Sequence, residues 1–179
     1  EGLALEFLIL TAARTKEVLE ATWAEIDEVK KLWVLPPERT KTGLIHRVPL
    51  TTRMEEILHE AQDLSTGSKL IFVSPATGRP LSYNTLLHVL QKRVGSTATV
   101  HGFRSSFKDW ASETTTFPNE VSEMALSHKI ANPVEAAYRR GDLLEKRKAL
   151  MAAWEDFICN PGDKVVATDF KARRALANG

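Results

Sequence analysis

A single cysteine, Cys159, stands in 179 residues. That excludes an internal disulfide and any multi-cysteine zinc site, and it suits a reducing compartment. Long apolar runs are missing too. The best stretch, Leu3 to Ala13, is broken by Glu6 and Thr11 and falls short of the roughly 18 apolar residues a membrane helix needs. Tyrosine is scarce, with only Tyr83 and Tyr138. No carboxylate cluster of the kind that holds Mg²⁺ is visible. There is no internal repeat and no low-complexity tract. With 43% hydrophobic and 26% charged residues, wholesale disorder is excluded and one domain with at most a tail is expected. An initiator methionine and a basic leader are also lacking. The chain opens at Glu1 within an apolar helical pattern, which reads as an excised fragment.

What the chain does have is charge in blocks. A formal net charge of +1 conceals a net of −5 over residues 1–28, +5 over 29–53, −4 over 54–63, +5 over 64–110 and +3 over 129–148. Converging in a fold, the three basic blocks would make a positive face of the sort a polyanion meets. On charge alone, the plainer alternative of blocks averaging out over a solvated surface is slightly preferred.

The periodicity predicts a buried helix over Leu3 to Ala13. A second is capped by Thr15, with Val18, Leu19 and Thr22 on one face and Glu17 in the first turn. Three extended segments follow, Trp23–Asp27, Leu32–Leu35 and Arg47–Leu50. They make a small antiparallel sheet whose third strand Pro49 places at an edge or at its end. The rest is helical: Met54, Ile57, Leu58 and Ala61 behind Thr51 or Thr52; Leu86, Leu87, Leu90 and Val94 behind Ser82; Phe103, Phe107, Trp110 and Ala111; and Val121, Met124 and Ala125 behind Asn119. Asn132-Pro133 opens another helix. Asp142 with Glu145 makes a capping-box-like start to the last one, striped by Leu143, Leu150, Met151, Trp154 and Ile158. Residues 164–179 read as a mobile tail.

Several polar residues sit where packing does not call for them. Arg14 lies at the junction of two helices, Lys41 in a basic turn between strands, and His101-x-x-Arg104 at a helix start. His128 closes a helix, and Tyr138 follows beside Arg139 and Arg140. Singly, each has a plain structural or surface reading, and His46, His59 and His88 are given that reading outright. Together the set supplies two guanidinium forks, an ammonium, two imidazoles and a phenol. That inventory fits in-line attack on a phosphodiester. Arginine forks match phosphate oxygens and offset transition-state charge. A phenol serves as a covalent nucleophile if its proton is accepted, and an ammonium can protonate a departing alkoxide. The positive side chains would take the place of metal ions.

In order and spacing, these residues resemble the catalytic domain of tyrosine recombinases, most closely prophage-type integrases. The matching segments are Thr11 to Val18 around Arg14, Trp23 to Asp27, Pro36 to Lys41 continuing to His46-Arg47-Val48-Pro49-Leu50, His101-Gly102-Phe103-Arg104, Ala125-Leu126-Ser127-His128, Ala137-Tyr138-Arg139-Arg140, and Lys146 to Met151 with Trp154. Residues 1–160 are covered. The resemblance implies a mainly α fold with a small three-stranded antiparallel β-sheet, the DNA breaking-rejoining fold. It implies that Arg14 and Arg104 clamp the scissile phosphate and that Lys41 is general acid to the 5′-oxygen. His101 would assist proton transfer from the nucleophile and His128 would bond a phosphate oxygen. Tyr138 would form a 3′-phosphotyrosyl link, and Glu17 would orient the basic residues from behind.

Two departures stand out: Ala13 and Ser127 occupy positions where the family often has glycine, which bears on loop conformation more than on activity. The resemblance further implies double-stranded DNA at attachment sites as partner, no ATP or metal cofactor, and no membrane. It implies a homotetramer on DNA for an intact cytoplasmic protein acting at the bacterial nucleoid, with this fragment mostly monomeric. Core-binding and arm-binding domains would lie outside the chain, and 161–179 would be a C-terminal tail. Three rival readings are a type IB topoisomerase-like strand relaxer, a catalytically inactive DNA-binding module, and a metal-dependent nuclease using His101 and His128.

Overall fold

The helix predicted near the start becomes the centre of the molecule. In a computed structural model that describes residues 1–65, 67–74, 76–128 and 141–160, helix α1 spans Gly2–Thr11 and buries Ala4, Leu5, Phe7, Leu8, Leu10 and Thr11. A helix apolar around its whole circumference must be covered on all sides. Here α2 (Thr15–Leu19), α3 (Thr52–Leu64), α4 (Tyr83–His88) and α7 (Leu144–Cys159) all pack on it. Phe7 wedges between Trp33 and Phe72, each ring centroid 5.4 Å away.

The sheet has three antiparallel strands in the order β1 (Ile26–Asp27), β2 (Leu32–Leu35), β3 (His46–Pro49). Leu32 faces Pro49 and Leu35 faces His46, so β3 is an edge strand with its proline at the end, where the missing N–H costs least. The first strand is shorter than expected. Trp23–Glu25 winds into a 3₁₀ turn instead, because the Glu25 carboxylate folds inward to accept the Trp33 indole N–H at 2.9 Å.

The apolar stripes are borne out in α3, where Met54, Ile57, Leu58 and Ala61 are buried. In α5 (Gly102–Thr114), Phe107 and Ala111 are buried with Phe103 and Trp110 packed alongside. Helix α6 (Asn119–Ala125) buries Val121 and Ala125, and α7 buries Leu150, Met151 and Trp154.

Four expectations are corrected. Arg14, not Thr15, is the residue that caps α2, which ends at Leu19 and leaves Thr22 to bridge Leu70. Asn119 is the first residue of α6, with Pro118 before it. Val94, expected in the core stripe after Ser82, is 64% exposed. Helix α4 passes into a π turn over Val89–Arg93, and the extra residue per turn rotates Val94 outward. Asp142 does not cap α7: its carboxylate takes Arg47 and Arg147, and left-handed Leu143 precedes the helix. The helix start expected at Asn132-Pro133 and the tail 161–179 lie outside the described residues. No described helix is long and apolar enough to cross a membrane.

Candidate active site

Helix α1 stops where Ala12 turns left-handed (φ 49°), its N–H reaching back to the Ile9 carbonyl at 3.3 Å. The chain then extends at Arg14 and re-enters a helix. Glu17, one turn in, reaches back with both oxygens. One accepts the Arg14 backbone N–H at 2.8 Å and the other its Nη1 at 2.9 Å. The carboxylate thus caps α2 and aims the guanidinium in one act.

Arg104, in the first turn of α5, is only 7% exposed. Its Nη1 donates to the Ala12 carbonyl and its Nη2 to the Leu126 carbonyl at 2.8 Å. Among the described residues no carboxylate pairs with it. Burial first, and then the positive charge of Arg14, push its guanidinium down to about 10, against a partial restoring pull from Glu17. A buried cation held by carbonyl dipoles, with a second guanidinium beside it, is built to gain from an anion.

The two arginines meet at the end of α6. Arg14 Nη2 donates to the Ser127 carbonyl at 3.4 Å, one residue past the carbonyl that takes Arg104. Two successive carbonyls at a helix C-terminus, the negative end of its dipole, therefore collect Arg104 and Arg14. His46 on β3 is near enough to Arg104 and Arg14 for their charges to disfavour its protonation. Ser127 makes the turn with φ 51°. His128 then projects its Nε2 to 3.4 Å from Arg104 Nη2, while its Nδ1 lies 2.7 Å from Glu123. A carboxylate offers only lone pairs, so Nδ1–H donates to Glu123 and Nε2 is left facing Arg104. Burial would raise the Glu123 carboxyl, but the bonds from Lys108 and His128 prevail and hold it below the usual range.

Lys41 and His101 are exposed, and neither side chain hydrogen-bonds to Arg14, Arg104 or His128. Each adjoins the cluster through its backbone. His101 immediately precedes α5, three residues before Arg104. Lys41 precedes Thr42, whose hydroxyl lies 3.5 Å from that of Ser127. Of the bases in residues 29–53, Lys30, Lys31, Arg39, Arg47 and Arg53 are all ion-paired, and Lys41 has no carboxylate partner among the described residues. Tyr138, with Arg139 and Arg140, lies outside the described residues. No described group of three or more His, Cys, Asp or Glu is placed to hold a metal ion. A groove of about 360 Å³ between α2 and residues 80–83 includes none of these residues.

His46, Glu123, Lys108 and Arg39 adjoin the cluster, and sequence reasoning did not single them out. For His46 a signal existed: it alternates on β3 with buried Val48, so the period of two points both inward. Nothing local marked the others.

Comparison with known proteins identifies the family and the fold. The sequence profile of the phage integrase family matches residues 1–142. The chain is 36% identical over 152 residues to the prophage integrase IntA of Escherichia coli (strain K12), covering 84% of this chain and 37% of that protein. It is 27% identical over 173 residues to the integrase of enterobacteria phage P4, covering 87% and 39% respectively. It therefore spans about two fifths of the length of these relatives. The lambda integrase catalytic core superposes with a TM-score of 0.54 at 24% identity, over 71% of this chain and 82% of that one. A lambda integrase tetramer bound to a Holliday junction matches with a TM-score of 0.55 at 22% identity, over 78% of this chain and 42% of that one. At such identities the likeness is one of fold, and the mainly helical architecture with its three-stranded sheet is shared.

Proposed function

This chain belongs to the phage integrase family, and from that premise we propose that it is the catalytic domain, over residues 1–160, of a tyrosine-type site-specific DNA recombinase. The observation that carries the reading is the meeting of Arg14 and Arg104 at the end of α6, with Arg104 buried and lacking a carboxylate partner among the described residues. Two forks on one spot suit the non-bridging oxygens of a phosphodiester.

In the proposed step the Tyr138 oxygen bonds to phosphorus as the P–O5′ bond breaks. His101 helps take the phenolic proton, and Lys41 delivers a proton to the leaving 5′-oxygen. His128, held by Glu123, hydrogen-bonds a phosphate oxygen that gains charge. The strand is left as a 3′-phosphotyrosyl ester. An incoming 5′-hydroxyl reverses the step on the same or another duplex, so the energy of the phosphodiester is conserved without ATP. Lambda integrase is a tetramer when bound to a Holliday junction. Double-stranded DNA at attachment sites, and a tetramer on it, are proposed for the intact protein, with integration or excision of a mobile element as the outcome.

The test uses the intact protein and a nicked suicide duplex carrying its attachment site, in buffer with chelator. DNA should become covalently attached through a 3′-phosphate to Tyr138. Tyr138→Phe should retain fold and DNA binding while the adduct vanishes. An adduct that persists in Tyr138→Phe, or that maps to Tyr83 or a serine, sinks the assignment.

A further inference from the structure

The base of the β2–β3 connection carries an ion pair that the proposed cleavage step does not use. Arg39 ends the 3₁₀ turn Pro37–Arg39, two residues before Lys41. Its Nη1 donates to the Glu25 carboxylate, and its Nη2 donates to the backbone carbonyl of Glu17 at 2.6 Å. Glu25 is 9% exposed and is also bound by the Trp33 indole. The Arg39 Nε is buried with no hydrogen-bond partner among the described residues. The fork is therefore aimed at two acceptors on different elements, and a buried donor is left unsatisfied to reach them, a cost that an arginine merely pairing at the surface avoids.

The second acceptor connects this pair to the cluster. Glu17 is the residue whose carboxylate holds Arg14, so a continuous chain of polar contacts runs from Glu25 through Arg39 and Glu17 to Arg14. On the other side of Arg39, the Thr40 hydroxyl lies 2.8 Å from the Leu44 carbonyl, to which it donates, and closes the loop that presents Lys41. The far rim of that loop touches Ser127 through Thr42. Lys41 itself is exposed and has no ion-pair partner among the described residues, so where its ammonium can reach is set by the base of its loop.

We infer that Arg39, anchored by Glu25, is a positioning residue that holds the Lys41 loop in register with the Arg14 helix, keeping the proton donor aligned with the phosphate clamp. The inference rests on the roles of Lys41 and Arg14 proposed above.

Arg39→Lys is the discriminating variant. A lysine can still neutralise Glu25, but a single ammonium lacks the planar fork that spans Glu25 and the Glu17 carbonyl together. In the intact protein it should melt near the unmutated temperature and bind the attachment site as tightly. It should cleave that site about tenfold to a hundredfold more slowly, as expected of a reacting group displaced by an ångström or so. A duplex with sulfur at the 5′-bridging position has a leaving group that needs no acid, and Arg39→Lys should cleave it almost normally. The double variant Arg39→Met with Glu25→Gln, which strands no buried charge, should show the same sulfur-rescued defect. Equal defects on both substrates, or no defect on either, overturn the inference. Lys41→Ala run in parallel separates the failures. If sulfur rescues Lys41→Ala but not Arg39→Lys, only the positioning role falls; if it rescues neither, the acid role of Lys41 falls and the inference with it.

Discussion

Ser127 occupies a position where the resemblance led to an expectation of glycine, and its backbone is held at φ 51°. A side chain in that left-handed region costs about 1–2 kcal/mol, and glycine's extra freedom in the unfolded chain offsets part of any relief. Ser127→Gly is therefore predicted to stabilise the chain by about 0.5–1 kcal/mol, raising Tm by about 1–4 °C in a thermal melt; an unchanged or lower Tm would show that no strain is relieved there. Ala13, the other departure, is not in that region; Ala12 is. His46 makes a second residue-scale prediction. Burial, then the charges of Arg147, Arg104 and Arg14, lower its imidazole to about 4. The fold thus keeps it neutral while the unfolded chain takes up a proton near pH 6.5. Its contribution is complete above that pH, is lost progressively as pH falls to about 4, and changes no further below. The loss is about 3 kcal/mol at most. Urea unfolding between pH 7 and 4 should show a shallower pH dependence for His46→Asn than for the unmutated chain, and matching slopes would remove His46 from the account. Glu123 titrates in both proteins and cancels in the comparison.

Among the elements, α7 closes the core against α1, β3 and α6. Trp154 is 3% exposed, donates its indole N–H to the Ile9 carbonyl at 3.0 Å, and lies edge-on to Phe107 at 5.3 Å. Trp154→Ala leaves a cavity and removes one of the two donors to the Ile9 carbonyl, and should cost about 3–5 kcal/mol in denaturant unfolding. A loss below about 1 kcal/mol would mean that α7 is held elsewhere. The stripes of α3, α5 and α7 were legible because amphipathic helices repeat with a period of 3.6 whatever they pack against. Where prediction failed, a carboxylate or a bulge had another engagement. Glu25 was drawn inward to Trp33 and Arg39, Asp142 was taken by Arg47 and Arg147, and the π turn shifted the register ahead of Val94. No spacing rule reports such competition.

Across the whole molecule, the basic block 29–53 is largely answered by carboxylates, whereas in 64–110 only Arg93 and Lys108 are ion-paired among the described residues. Arg53 of a basic block binds Glu6, Glu56 and Glu60 from the acidic ones, and Lys31 binds Glu55. Over residues 29–53 the plainer reading of charge was therefore the nearer one. In the site, Lys41 and Arg104 have no carboxylate partner among the described residues, and the same is true of Lys69, Arg79, Lys92 and Lys146. The sequence by itself determined the helical order, the small sheet with its proline-ended edge, the family, and an inventory of phosphate-handling side chains. Periodicity, turn residues and chemical type are properties of a residue and its chain neighbours. Tertiary structure alone decided that Arg14 reaches residue 127, that Arg104 reaches back to residue 12, that His46 comes within range of both their charges, and that Arg39 ties two elements together. Such contacts cross separations of up to 113 residues, and they exist only because packing of the apolar stripes brings those backbone carbonyls to one place.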